Sequence, residues 1–315
     1  MNTRRRNLLK MGVACAVTSK FLRARGATPA RRRLGLQLYT ISDELHRDFK
    51  RALQEVAAIG YTEIEFAGFL GKSPAAWRDE LKATGLRAVS GHFLGPQLQS
   101  SLDSCIDYAR ELGLQYMVCP APTLPDAARL EILSSFPADS GKPAGEAVQQ
   151  AFERFTNSFT LEDWQWNADF FNKVGQRVKE AGMQFAYHNH NVEFRRFGER
   201  TAYDELLART EPAVVTMELD CGWLTQAGGD PAAVLAAHPR RFRLLHVKDV
   251  KRGFVPGIRP NPQPADVGSG AVEWKRVFAA AERVGVQHYF LEQEPPFPVS
   301  PLASIRKGFE YLQGV

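Results

Sequence analysis

Cysteine is scarce in this sequence: there are four in 315 residues, Cys15, Cys105, Cys119 and Cys221. No two of them form a CxxC pair or a regular spacing, so the sequence offers no disulfide framework and no cysteine-built metal knuckle. Thiols of this kind are expected to be partly buried and to pack as small hydrophobes. Long apolar runs are also missing. The stretch Met11 to Val17 is short and is soon followed by Lys20, too little to cross a bilayer. No G-x-G-x-x-G follows the first predicted strand, which weakens the case for a dinucleotide fold. Acidic side chains are absent from residues 1–33, which carry ten Lys and Arg.

That last absence changes the meaning of the net charge of +5. Without the ten leading cations the rest of the chain holds 30 basic against 35 acidic residues, a net of −5. A mildly acidic body asks for no nucleic-acid partner. The segment Thr3-Arg-Arg-Arg-Asn-Leu-Leu-Lys10 resembles the twin-arginine export motif, with Arg5 and Arg6 as the pair. Residues 1–30 are therefore read as a signal segment and 31–315 as one domain. The resemblance implies an exported, periplasmic protein with no stable membrane span after processing. It also implies a chain that crosses folded, often with a metal or cofactor in place.

From Leu34 onward, short apolar runs alternate with amphipathic stretches. Strands are expected at 34–40, 61–66, 86–92, 116–119, 185–194, 214–220, 243–249 and 289–292. Helical spacing fills the intervals, as in Leu45, Phe49, Leu53, Val56 and Ile59 before Gly60. Strands separated by helices pair in parallel, and eight such units predict a closed (β/α)8 TIM barrel. An open doubly wound sheet is the alternative. Two segments break the rhythm: a long insertion after strand 4, residues 120–160 with a helix near 146–155, and a proline-rich loop after strand 7, residues 251–270. Both are candidate surfaces for a lid or a homo-oligomer.

In such barrels chemistry sits at the C-terminal ends of the strands. The residues there are Glu65, His92, His188, His190, Glu193, Asp220, His246, Lys248 and Glu292. Taken singly, each has an ordinary reading: a hydrogen-bonded histidine, a helix-capping Asp220, a salt-bridged Glu292. Gathered at four consecutive strand ends, carboxylates and histidines would repel or strand their charges unless a cation lay among them. A mixed O/N set suits Mn²⁺, Mg²⁺, Co²⁺ or Zn²⁺. His46, His238 and His288 fall on helices or element edges and are expected at the surface.

Gly35-Leu-Gln-Leu-Tyr39, Gly60-Tyr-Thr-Glu-Ile-Glu65, Tyr187-His-Asn-His190, Glu218-Leu-Asp220, His246-Val-Lys-Asp249, Gly268-Ser-Gly270 and Glu292 together resemble the xylose isomerase-like TIM barrel superfamily, in its sugar phosphate isomerase/epimerase branch. The resemblance spans about residues 34–312. It implies a metal held at the ends of strands 5 to 8, with Asp220, His246 and Glu292 as three ligands. At the first ligand position the chain departs from the family pattern, with His188 where many relatives carry a glutamate. Glu193, five residues on, is the favoured substitute, and His188 the alternative.

The resemblance further implies an isomerase or epimerase acting on a sugar or sugar derivative through α-proton abstraction and a metal-stabilised enediolate. His190 is the candidate base, since histidine needs little tuning near neutrality. Lys248 is the candidate for oxyanion stabilisation or proton donation, and His188 is a further catalytic candidate. Glu65, His92 and Trp223 are expected to line the substrate pocket. A histidine-rich strand 5 equally suits a lyase or dehydratase, or an enzyme that cleaves a 3-keto-glycoside. A non-catalytic exported sugar-binding barrel is a third reading.

Overall fold

The computed structural model of the chain describes residues 33–125 and 146–315, with backbone alone for 146–149. The expected signal segment, with Cys15, and the middle of the insertion after strand 4 lie outside the described residues. Eight strands form the frame: β1 (Leu34–Gln37), β2 (Glu63–Phe66), β3 (Arg87–His92), β4 (Tyr116–Cys119), β5 (Gln184–His188), β6 (Val215–Asp220), β7 (Phe242–Val247) and β8 (His288–Leu291). They close in the order β1-β8-β7-β6-β5-β4-β3-β2, every pair parallel. This is the (β/α)8 barrel that the alternation predicts.

Both faces of the strands are covered, so they read as continuous apolar runs rather than strict alternation. Tyr116-Met-Val-Cys119, for example, is buried at all four positions. The barrel interior is plugged by Val89, Tyr116, Val118, Ala186, Leu244 and Phe290. Room for Phe290 comes from Gly35, where a Cβ would lie 2.4 Å from Phe290 Cδ1. Successive side chains of a strand point to opposite faces, so residues two places beyond the plug also face inward. That rule carries Ala186 to His188, Leu244 to His246 and Phe290 to Glu292.

Register then sets the neighbours. His188 pairs with Glu218, and Asp220 with His246. The β2/β3 register shifts between Ile64 and Glu65, so that Glu65 lies beside Ser90. The β6/β7 register shifts between Met217 and Glu218.

Several expectations need correction. The helix expected across 43–59 is two helices, Ser42–Arg47 and Phe49–Ile59, because extended Asp48 caps the second by accepting from Arg51 N. Short helices at Gly95–Ser100 and Cys221–Gln226 and a hairpin of Arg196–Phe197 with Arg200–Thr201 fall in stretches to which the sequence pattern assigns no element. His288 is not at the surface: it starts β8 and its Nδ1 lies 2.8 Å from Glu63 Oε2. Among the described cysteines, Cys119 and Cys221 are buried, Cys105 is half-buried, and all three are free thiols.

Candidate active site at the C-terminal mouth of the barrel

Three ligand-type side chains meet where β6, β7 and β8 end. One donor atom from each of Asp220, His246 and Glu292 lies within 4.8 Å of the others. His246 Nδ1 is 2.7 Å from Glu292 Oε2 and 3.6 Å from Asp220 Oδ2. Asp220 has a double role. Its Oδ1 accepts from Trp223 N at 2.7 Å and caps the helix Cys221–Gln226. Its Oδ2 is buried without a hydrogen-bond partner. An orphaned carboxylate oxygen beside an imidazole and a second carboxylate is what a divalent cation would satisfy, so these residues fit the metal that the sequence implies.

Deeper in the barrel a second group contains His92, His188, Glu218 and His246. Glu65 lies against it with no exposed surface. Gln37 Nε2 donates to Glu65 Oε1 at 2.8 Å, Ser90 Oγ donates to Oε2 at 2.5 Å, and His246 Nε2 is 2.6 Å from Oε1. Burial opposes charge on Glu65, but the cationic His92 and His246 outweigh it and hold the carboxyl below its usual range. Burial likewise disfavours the charged forms of His92 and His246, yet Glu65 and Glu218 raise both, His92 to about 9. His188 goes the other way. Burial, then the charge of His246, keeps its imidazole neutral.

Towards the rim, Lys248 bonds Glu294 and lies 3.6 Å from Glu292 Oε1 and 3.9 Å from Asp220 Oδ2. Burial disfavours its charge, but Glu292, Glu294 and Asp220 hold the ammonium protonated. Its Nζ stands 4.6 Å from the centre of the Trp223 ring, while the His190 ring packs 5.4 Å from the same ring. The Trp223 face is thus covered by two side chains, and only 4% of the residue is exposed. Phe152 of the insertion closes on His190, ring centres 5.6 Å apart. Burial among these rings, then the charge of Lys248, lowers His190 to about 3, far below the near-neutral imidazole expected from the sequence, and its Nδ1 is buried with no hydrogen-bond partner.

Glu193 is not among the residues brought together. It sits on a 3₁₀ turn, Val192–Phe194, after β5. Its Oε1 accepts from Tyr187 OH at 2.6 Å and its Oε2 from His190 N at 2.9 Å. Tyr187 is one residue from His188 and so faces the helical layer, where it packs on Phe171. That bond draws the carboxylate away from the interior.

A profile described as xylose isomerase-like TIM barrel matches residues 53–314. The chain belongs to the xylose isomerase-like TIM barrel family. An inosose dehydratase of Lacticaseibacillus casei is 21% identical over 286 residues, covering 84% of this chain and 88% of that one. A solved sugar phosphate isomerase/epimerase of Parabacteroides distasonis superposes with TM-score 0.69 at 23% identity, over 92% of this chain and 96% of the other. A solved IOLI protein with a binding zinc atom superposes with TM-score 0.62 at 12% identity, over 88% of this chain and 95% of that one. This xylose isomerase-like barrel is an enzyme of a group whose named relatives include isomerases and dehydratases.

Two residues of this family member were not singled out from the sequence. Glu218 shares the inward face with Asp220 two places on, a signal already present in Glu218-Leu-Asp220. Asp249, the last residue of His246-Val-Lys-Asp249, is buried below the rim. Its carboxylate accepts from the backbone N–H of Val250, Gly268, Gly270 and Val272 and from Trp274 Nε1, at 3.0–3.2 Å. Gly270 is obligatory there, since a Cβ would come 2.1 Å from Asp249 Oδ1.

Proposed function

We propose that this chain removes the proton next to the carbonyl of a small polyhydroxylated keto compound, a keto-sugar or keto-cyclitol, and expels the oxygen on the following carbon. The reaction is a dehydratase-type elimination. The observation that carries the reading is that the acid–base groups at the rim differ in kind. One is a neutral histidine with an unpartnered Nδ1, the other a charged lysine held among carboxylates, and both pack on Trp223. An elimination needs one base and one acid, the two roles that a neutral His190 and a charged Lys248 can fill.

Asp220, His246 and Glu292 would hold the divalent ion, and their two carboxylates and one imidazole suit Mn²⁺, Mg²⁺, Co²⁺ or Zn²⁺. Such an ion, when bound, supplies a Lewis acid that polarises a substrate carbonyl. His190 takes the α-proton at Nδ1. The C–H electrons form the new double bond, the C–O bond breaks, and Lys248 protonates the departing oxygen to give water. The two transfers support each other. After burial, the charge of Lys248 is what most opposes protonation of His190, and it vanishes as Lys248 gives up its proton.

Isomerisation or epimerisation is the second reading. It shares the proton abstraction, and the likeness to the Parabacteroides distasonis protein favours it. One experiment separates the two. Keto-inositols and 3-keto-sugars are incubated with metal-loaded enzyme in deuterated water. An unsaturated product with loss of water supports elimination, and deuterium uptake without loss of mass supports isomerisation. Neither change across the panel sinks both readings. His190→Ala is expected to lower kcat by about 10²–10⁴-fold, the usual worth of a positioned base.

A further inference from the structure

The ion site at Asp220 and Glu292 uses only one edge of the His246 ring. The opposite edge, Nε2, faces a different set of side chains. There Glu218 Oε2 lies 3.1 Å from His188 Nδ1, 3.2 Å from His246 Nε2 and 3.5 Å from His92 Nε2. Three ring nitrogens, from β3, β5 and β7, converge on one carboxylate oxygen from β6. Glu65 Oε1 lies against two of the same nitrogens, 2.6 Å from His246 Nε2 and 3.2 Å from His92 Nε2, so five polar atoms crowd one point. The three separations from Glu218 Oε2 are those of ligands sharing a centre, since donors about 2.0–2.1 Å from a tetrahedral ion stand about 3.3 Å from each other, and all four donor atoms lie within 4.8 Å of one another. A second observation points the same way. The other oxygen of this carboxylate, Glu218 Oε1, is fully buried and has no hydrogen-bond partner.

We propose that His92, His188, Glu218 and His246 form a second divalent-metal site, deeper than the first and joined to it through His246. Three imidazoles and one carboxylate make a set of borderline softness, which suits Zn²⁺ or Co²⁺ better than Mg²⁺. With ions on both sides His246 carries one on each ring nitrogen, so filling both sites releases both of its ring protons. Glu65 keeps the donors Gln37 and Ser90 when the Nε2 proton leaves, so no buried carboxylate is stranded. The deep ion would lock His188 and His246 in place beneath the reacting groups. The inference extends the metal reading given above, and its test separates the two.

The purified full chain is stripped with chelator, reloaded with Zn²⁺ or Co²⁺, and analysed for metal per chain. Two equivalents are expected. Glu218→Gln and His92→Gln should each keep one equivalent, and Asp220→Asn should keep the other. The intense visible absorption of tetrahedral Co²⁺ should survive Asp220→Asn and vanish in Glu218→Gln. Circular dichroism checks that each variant is folded, and the paired deep-site variants guard against one failing. A single equivalent lost with Asp220→Asn and retained by Glu218→Gln would overturn the second site and leave the first standing. A single equivalent lost with both changes would mean one shared centre and would also overturn it. No metal at all would sink both.

Discussion

Glu193 is a carboxylate with no exposed surface and no cation against it. Burial raises its pKa from 4.5 to about 7, although Tyr187 OH and backbone N–H groups bond the charged form. Below pH 4.5 the side chain is protonated in folded and unfolded chains alike. Between there and about 7 the unfolded chain ionises first, so stability is lost as pH rises through that window, by about 3 kcal/mol. A glutamine could accept from His190 N and donate to Tyr187 OH. Glu193→Gln is therefore expected to remove this loss, to be more stable than the parent at pH 8, and to keep its full metal content. Urea midpoints at pH 5 to 8 with metal analysis check it; a variant that sheds its metal would place Glu193 among the ligands after all. That Asp220, His246 and Glu292 would converge was legible because strand periodicity fixes which way they point. Glu193 was not, because a loop carboxylate can turn either way, and Tyr187 on the outer face captures it.

The loop after β7 shows how one element is built around one side chain. Asp249 gathers five donors from Val250, Gly268, Gly270, Val272 and Trp274. Hydrogen bonds to a buried charge are worth more than neutral ones, and removing the acceptor strands its donors. Asp249→Ala is expected to cost about 3 kcal/mol or more. Faster amide exchange should be confined to the loop and to the start of Trp274–Val284, while the strands stay protected. Uniform loss of protection would mean that Asp249 supports the barrel as a whole. The loop's Gly268-Ser-Gly270 was readable as a motif, but its reason lies in a contact 19 residues or more away, outside the reach of local pattern. The same holds for the short helix Cys221–Gln226, which exists because Asp220 caps it. The eight strands were legible for the opposite reason: most are short apolar runs set between helical stretches, a pattern that needs no distant partner.

At the scale of the whole barrel, folding forces Glu65, Glu218, Asp220, Glu292 and Glu294 into one mouth, and His246 carries a proton that offsets them. Burial opposes that proton, but Glu218 and Glu65 raise its pKa well above 6.5. The resulting stabilisation is complete below pH 6.5 and is lost as pH rises through the raised value. A metal ligand must give up this proton, so ion binding competes with it and strengthens as pH rises. The metal-stripped enzyme should therefore grow less stable towards alkaline pH, and Mn²⁺ should restore more at pH 8 than at pH 6. At a hundredfold excess over Kd the ion adds about 2.7 kcal/mol. For a domain of this size that is a rise of about 5 °C in Tm. Thermal melts with chelator and with Mn²⁺ at both pH values measure the two gaps. A gap that does not widen with pH would mean that the ion binds without displacing the His246 proton, and the site at the ends of β6, β7 and β8 would have to be given up.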